Sequence, residues 1–330
     1  MYSFLIFIFL QLYSFLILFV PLLIVMAFIT LLERKVMGIM QRRRGPNVIG
    51  FFGLLQPFAD GVKLLLKEPV FPYQSDILLF IFAPLLTFFV SLLSWVIIPL
   101  TIAEPVLDLN IGVIFILGSS SLGVYGILLA GWASNSKYAF FGSIRSAAQM
   151  ISYEVAMSLA IFPVICLSQS FSLKDIILVQ TNSVWFLFSL FPSAICFYIS
   201  ILAETNRSPF DLPEAEGELV AGYNVEYSAF FFAFFYLAEY LNILLLSTVF
   251  VILFLGGGSF LFLKSSILIF ALKIFFIVYT IIWVRATLPR YRYDQLMLVG
   301  WKILLPFTTG YALFVAGLLF GIFKILEAIL

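Results

Sequence analysis

Long apolar runs alternate with short polar segments along the whole chain. Eight runs reach the roughly 20 mostly apolar residues that a membrane-spanning helix needs. They cover residues 4–32, 77–100, 111–134, 147–167, 184–203, 228–256, 265–286 and 303–326. Lipid offers no partner to a backbone amide or carbonyl, so these runs predict helices and not strands. Pro21, Pro84 and Pro163 fall inside runs and predict kinks that neighbouring helices accommodate, and the Gly256–Gly257–Gly258 stretch predicts the end of the sixth run. The pattern therefore gives an all-α, polytopic integral membrane protein with about eight transmembrane helices. No repeat, linker or shift in composition divides it, so residues 1–330 read as a single membrane domain.

One apolar stretch does not fit a span. Residues 51–68, FFGLLQPFADGVKLLLKE, are interrupted by Asp60, Lys63, Lys67 and Glu68. Leu54, Leu55, Phe58, Val62, Leu65 and Leu66 recur at helical spacing, which predicts an amphipathic helix lying at the membrane interface. A charged loop packed beneath other subunits is the alternative.

Composition agrees with lipid as the solvent. Hydrophobic residues make up 63% of the 330, charged residues 11%, and mean hydropathy is +1.15. A soluble domain is nearer half apolar and a quarter charged. The formal net charge of +1 gives no sign of a nucleic-acid partner. The placement of charge says more. Most Lys and Arg fall after the first, third, fifth and seventh runs, including Arg34, Arg42–Arg44, Lys137, Arg145, Arg207, Arg290 and Arg292. The positive-inside rule puts that side in the cytoplasm or matrix and both termini on the other side. The apolar N-terminal run lacks a basic start and is too long for a signal peptide, so no cleavable targeting segment is expected. The 40 phenylalanines, with few Ala and Gly, point to an AT-rich genome and so to a mitochondrial inner membrane; a bacterial plasma membrane is the alternative.

Several chemistries are disfavoured. The chain has no histidine and two cysteines, Cys166 and Cys196, with no CxxC spacing. Haem needs an axial ligand and iron–sulfur clusters usually need four thiolates, so no redox metal is expected in this chain. Both cysteines read as small packing residues. No GxxxxGK[ST] loop is present, which argues against ATP hydrolysis.

Charges inside spans carry the functional signal, because each costs a few kcal/mol in lipid. Glu154 falls well inside the fourth run, Glu239 mid-way along the sixth close to Asn242, and Lys273 inside the seventh, while Glu33, Arg34 and Glu204 sit at run ends. Glu239 and Lys273 can pair with each other or with neighbouring helices, or serve as functional groups. Residues 204–227, ETNRSPFDLPEAEGELVAGYNVEY, place Glu204, Asp211, Glu214, Glu216, Glu218 and Glu226 against one cation, Arg207. A solvated acidic loop is the plain reading. Against it, the acids alternate with Leu, Val, Tyr and Phe, and Pro209, Pro213, Gly217 and Gly222 predict ordered turns. Crowded carboxylates near lipid raise one another's pKa and titrate as a set. With Glu154, Glu204 and Glu239 they can form a buried proton path. In RATLPRYRYDQ, residues 285–295, Arg285, Arg290 and Arg292 either anchor the basic side or bind a polar headgroup and balance the acids; the same two readings apply to Arg34.

Five segments resemble the subunit 1 family of proton-pumping NADH:ubiquinone oxidoreductase, respiratory complex I. They are LLERKVMGIMQRRRGPNVIG, GLLQPFADGVKLLLKEP, GWASNSKYAFFGSIRSAAQMISYE, LAETNRSPFDLPEAEGELVAGYNVEY and WVRATLPRYRYDQLM. The resemblance runs from about Glu33 to Pro306 in the family's order and spacing. It implies a non-redox subunit of an NADH:ubiquinone reductase, with ubiquinone as substrate and NADH, FMN and iron–sulfur clusters held by partner subunits. It implies other complex I subunits as partners, both quinone-site peripheral subunits and membrane-arm neighbours, together with the lipid bilayer. It also implies that Arg34, Asp60, Arg207, Asp211, Arg285 and Arg290 line or brace a quinone chamber. Glu204, Glu214, Glu216, Glu218 and Glu226 would then relay charge with Glu154 and Glu239, and Glu33 would belong to either set. The expected localisation is the mitochondrial inner membrane, multi-pass, with termini on the intermembrane-space side. Two other readings stand beside this one: the membrane subunit of a related hydrogenase complex, and a stand-alone secondary transporter with Glu154, Glu239 and Lys273 as its ion site.

Overall fold

The computed structural model describes residues 2–100, 105–211, 222–259 and 266–329, with side chains from 16 to 321 of these. Every regular element among them is helical. Among the described residues, seven helices are long and apolar enough to cross a membrane. We label the main elements α1 (Tyr2–Met40), α2 (Gln56–Leu66), α3 (Ile77–Leu93), α4 (Gly112–Ala133), α5 (Lys137–Ser168), α6 (Leu173–Asn182), α7 (Phe191–Glu204), α8 (Ala229–Phe254), α9 (Ile267–Thr287), α10 (Tyr293–Leu298) and α11 (Leu305–Ile329). A widened π-type segment, Val299–Leu304, joins α10 and α11 into one span.

The fifth expected span differs from its prediction. Its apolar run breaks at Leu190, and helix restarts at α7 with Pro192 in the first turn, where a missing amide costs nothing. The resulting 14 residues extend about 21 Å, less than the roughly 30 Å hydrocarbon core. Two other expectations shift as well. Lys137 and Arg145, expected in a loop, belong to α5, a single helix of 32 residues. Glu33 and Arg34, expected to close the first span, lie inside α1, which continues to Met40. Hydropathy marks where lipid contact ends, whereas a helix continues wherever its backbone bonds remain favourable.

Helix α8 is the most deeply buried of the seven spans. It packs against α3, α7, α9, α1 and the amphipathic α2. Its sequence is apolar on all faces, as expected of a helix enclosed by others. Pro84 sits within α3, and its carbonyl accepts the Thr87 hydroxyl at 2.9 Å. The amphipathic helix expected within 51–68 forms over 56–66 as α2, and none of its residues is buried. Phe58 on α2 meets Phe28 on α1 edge to face, with centroids 6.2 Å apart. Val62, Leu65 and Leu66 of α2 are exposed.

Candidate functional site

The site lies where α1, α8, α9 and the loop after α7 converge on the basic side. Glu33 of α1 is its centre, and its side chain is only 4% exposed. Arg207 Nη1 donates to Glu33 Oε1 at 2.7 Å. Arg285 of α9 donates to the same oxygen. The Tyr240 hydroxyl of α8 donates to Glu33 Oε2 at 2.5 Å. Tyr236, one turn earlier, places its hydroxyl 3.0 Å from that of Tyr240. The acid is therefore saturated by two guanidinium groups and a phenol. Buried charges are stable only when matched in this way.

Arg207 is the link to a second acid. Its Nε stands 2.9 Å from Glu239 Oε1, a charge contact without hydrogen-bond geometry, while its guanidinium covers the Tyr240 ring. Burial opposes the charge on Arg207, but Glu239 and Glu33 outweigh it and hold its pKa well above the ordinary arginine value. The loop that carries Arg207 is tied down by Gln149 of α5. Its amide donates to the carbonyls of Ala203 at 2.8 Å and Phe210 at 2.7 Å, which clamps both ends of the turn.

Two further ion pairs flank this centre. Arg34 meets Asp60 of α2 at 2.7 Å, both side chains being partly exposed, and Gln56 donates to Asp60 at 2.9 Å. Arg290 meets Asp211 at 3.2 Å, the acid buried and the guanidinium half exposed. The seven residues expected at a quinone chamber thus fall into three charge groups, graded from the exposed Arg34–Asp60 pair to the enclosed Glu33.

The expected proton-path residues divide. Glu204, Glu239 and Asn242 line one cavity of about 60 Å³, whose lining also includes Ser91, Ser94 and Ser119. One water needs about 15 Å³ of such space, so the cavity has room for about four. Glu204 is buried and its Oε2 has no hydrogen-bond partner within the protein, as expected of a group facing water sites. Glu154 stands near enough to Glu204 to interact electrostatically, and Ser120, also on the cavity wall, approaches Glu154 at 3.4 Å. Glu226 is half-buried, with no ion pair among the described residues. Glu214, Glu216 and Glu218 lie outside the described residues.

Glu239 and Lys273 do not pair. Glu239 faces Arg207, and Lys273 is bound by backbone carbonyls at the other end of α8. Nothing thus remains of an ion site shared by this acid and this lysine. Sequence reading also passed over Tyr236, Tyr240 and Gln149. The two tyrosines recur at i, i+4 within FFFAFFYLAEYLN, a spacing that shares a helix face, but one aromatic among many gives no signal by itself.

Comparison with known proteins places the chain in a family. The family model for NADH dehydrogenase matches residues 13–316. The chain is 55% identical over 305 residues to the NADH-ubiquinone oxidoreductase chain 1 of Chondrus crispus, covering 91% of this chain and 93% of that one. It is 54% identical over 308 residues to an NADH-quinone oxidoreductase polypeptide of Rickettsia prowazekii, covering 91% of each. The NADH-ubiquinone oxidoreductase chain 1 of Cyanidium caldarium is 54% identical over 307 residues, covering 91% of this chain and 89% of that one.

Proposed function

The chain belongs to the NADH dehydrogenase family, as a membrane subunit of the multi-subunit NADH:quinone oxidoreductase, and from that premise we propose that its basic-side ion network walls a ubiquinone chamber and passes the charge of quinone reduction to buried carboxylates. The observation that carries the reading is the double engagement of Arg207, which touches Glu33 on one side and Glu239 on the other. Glu33 belongs to the graded charge groups that open toward the exposed Arg34–Asp60 pair, and Glu239 lines the hydroxyl-walled cavity shared with Glu204.

In this reading the quinone headgroup meets Arg34, Asp60, Asp211, Arg285 and Arg290, whose donors and acceptors suit a carbonyl that becomes a hydroxyl on reduction. Reduction draws protons and changes the charge beside Glu33. Arg207 feels that change directly, and its hold on Glu239 loosens or tightens accordingly. A proton then redistributes among Glu239, Glu204 and Glu154 through the cavity and toward neighbouring membrane-arm subunits. Glu214, Glu216, Glu218 and Glu226 extend the relay on the face that meets the peripheral quinone-site subunits. The electrons come from NADH by way of FMN and iron–sulfur clusters in those partners. The membrane is the mitochondrial inner membrane, with the chain's termini on the intermembrane-space side, an assignment supported by the loop charges and the phenylalanine-rich composition.

The test is proton translocation per quinone reduced, measured in vesicles containing the assembled complex with Glu154→Gln, Glu204→Gln or both. The expected result is quinone reduction with a lowered proton ratio. A full ratio in the double variant overturns the coupling role and leaves the family assignment untouched.

A further inference from the structure

The end of α8 remote from the ion network holds a different arrangement of charge. Lys273 of α9 is enclosed there by acceptors that carry no formal charge. Its Nζ donates to the carbonyls of Leu255 at 2.5 Å and Gly257 at 2.9 Å, and to that of Ser259. The indole of Trp185 closes another side, with Nζ 4.3 Å from the ring centroid. Among the described residues no carboxylate pairs with Lys273.

The backbone is shaped to receive it. Gly256 and Gly257 adopt φ +66° and +58°, the left-handed region, which turns successive carbonyls inward. A Cβ on Gly256 would come within 2.8 Å of Ser259 Oγ and 3.1 Å of the Trp185 ring. Gln180 of α6, itself buried, donates to the carbonyls of Ile252 at 2.9 Å and Leu253 at 3.2 Å. The amides of Leu255 and Gly257 both return to the Val251 carbonyl. A helix C-terminus leaves about four carbonyls without an intrahelical partner and carries roughly half a negative charge. In lipid those groups cannot be left bare. Lys273 meets this need from within the span, since it lies about 9 Å along α9 from Ile267, where that helix begins.

We propose that the end of α8 is a carbonyl-lined receptor for a primary ammonium, filled from within by Lys273 acting as a fixed cation and not as a proton carrier. The proton count supports this. An ammonium has three N–H donors and meets three carbonyls. A neutral amine has two, so deprotonation would orphan one carbonyl in a poorly hydrated place. The inference does not depend on the quinone reading.

The experiment uses assembled complex in native membranes with Lys273→Ala or Lys273→Met, and reads the temperature of half-inactivation of quinone reductase activity and the proton ratio. Lys273→Ala is expected to lower that temperature. Added n-alkylammonium ions should restore it, best near propylammonium, whose three carbons and ammonium match the atoms that alanine lacks. Lys273→Met fills the stem space, so it should be destabilised without rescue, and its surviving complex should keep the wild-type proton ratio. Three results overturn the proposal: an unchanged temperature in Lys273→Ala, no rescue or rescue independent of chain length, and a stable Lys273→Met with a lowered proton ratio. If Lys273→Ala does not assemble, Trp185→Leu carries the test. A lowered temperature with an unchanged proton ratio then supports the receptor, and an unchanged temperature overturns it.

Discussion

The guanidinium of Arg207 lies over the ring of Tyr240, 4.7 Å from its centroid. In that position it bridges two acids from different helices, Glu33 and Glu239. Removing it takes their shared counter-ion from both acids, although Glu33 keeps Arg285. Breaking one side of a buried ion pair costs roughly 3–5 kcal/mol. Arg207→Met should therefore leave little assembled complex on native gels. Arg207→Lys should recover only part of it, because an ammonium is a point charge and cannot reach two acids with a planar fork.

Tyr240→Phe separates the phenol from the ring. The ring under Arg207 remains, and the hydrogen bond to Glu33 is lost. A hydrogen bond to a charged group contributes about 1.5–3 kcal/mol. Assembly should persist, with quinone reductase activity lost at a lower temperature than in the unaltered complex.

Hydropathy made seven of the eight expected spans legible, because lipid and a packed interior alike exclude water from a span; the fifth yields only the short α7. The acids were legible too, since Glu33, Glu154, Glu204 and Glu239 stand out against an apolar background. Their partners were not. Glu239 and Lys273 are the obvious pair along the chain, yet Arg207 reaches Glu239 from a loop and Lys273 turns to carbonyls. Hydropathy records which residues avoid water and carries no information on which helices become neighbours. Lengths were blurred for a related reason. The charged Lys137 and Arg145 read as a loop, although α5 holds them in its first turns.

The Arg34–Asp60 pair is partly exposed on both sides, and such pairs contribute at most about 1 kcal/mol. Arg34→Ala and Asp60→Asn should leave assembly unchanged. Their effect should appear as a raised KM for a short-tailed ubiquinone. Loss of assembly in either variant would show that the pair has a structural role and no part in recognising the headgroup.

Gly142 of α5 faces the backbone of Gly222, and a Cβ there would come within 2.7 Å of the Gly222 Cα. Main chain cannot swing aside as a side chain can. Gly142→Ala should cost about 1–3 kcal/mol as overpacking. The expected signs are a lower yield of assembled complex and a faster thermal loss of activity. Gly61→Ala is the control, since a Cβ on that glycine meets nothing within 4 Å.

The binding of Glu33 to Arg207 and Arg285 also has a consequence for how the protein is made. Those two guanidinium groups lie 174 and 252 positions further along the chain. At about 5–20 residues per second, a ribosome completes them on the order of 10 to 50 s after Glu33 has emerged. An unaccompanied carboxylate costs about 2.5–3.5 kcal/mol at the centre of a span on insertion scales, and less toward its ends, where Glu33 lies. Until those guanidinium groups arrive, the acid of the first helix stays protonated, keeps to the headgroup water of the basic face, or waits in the shelter of the insertion machinery. The charge centre of this protein can close only near the end of translation.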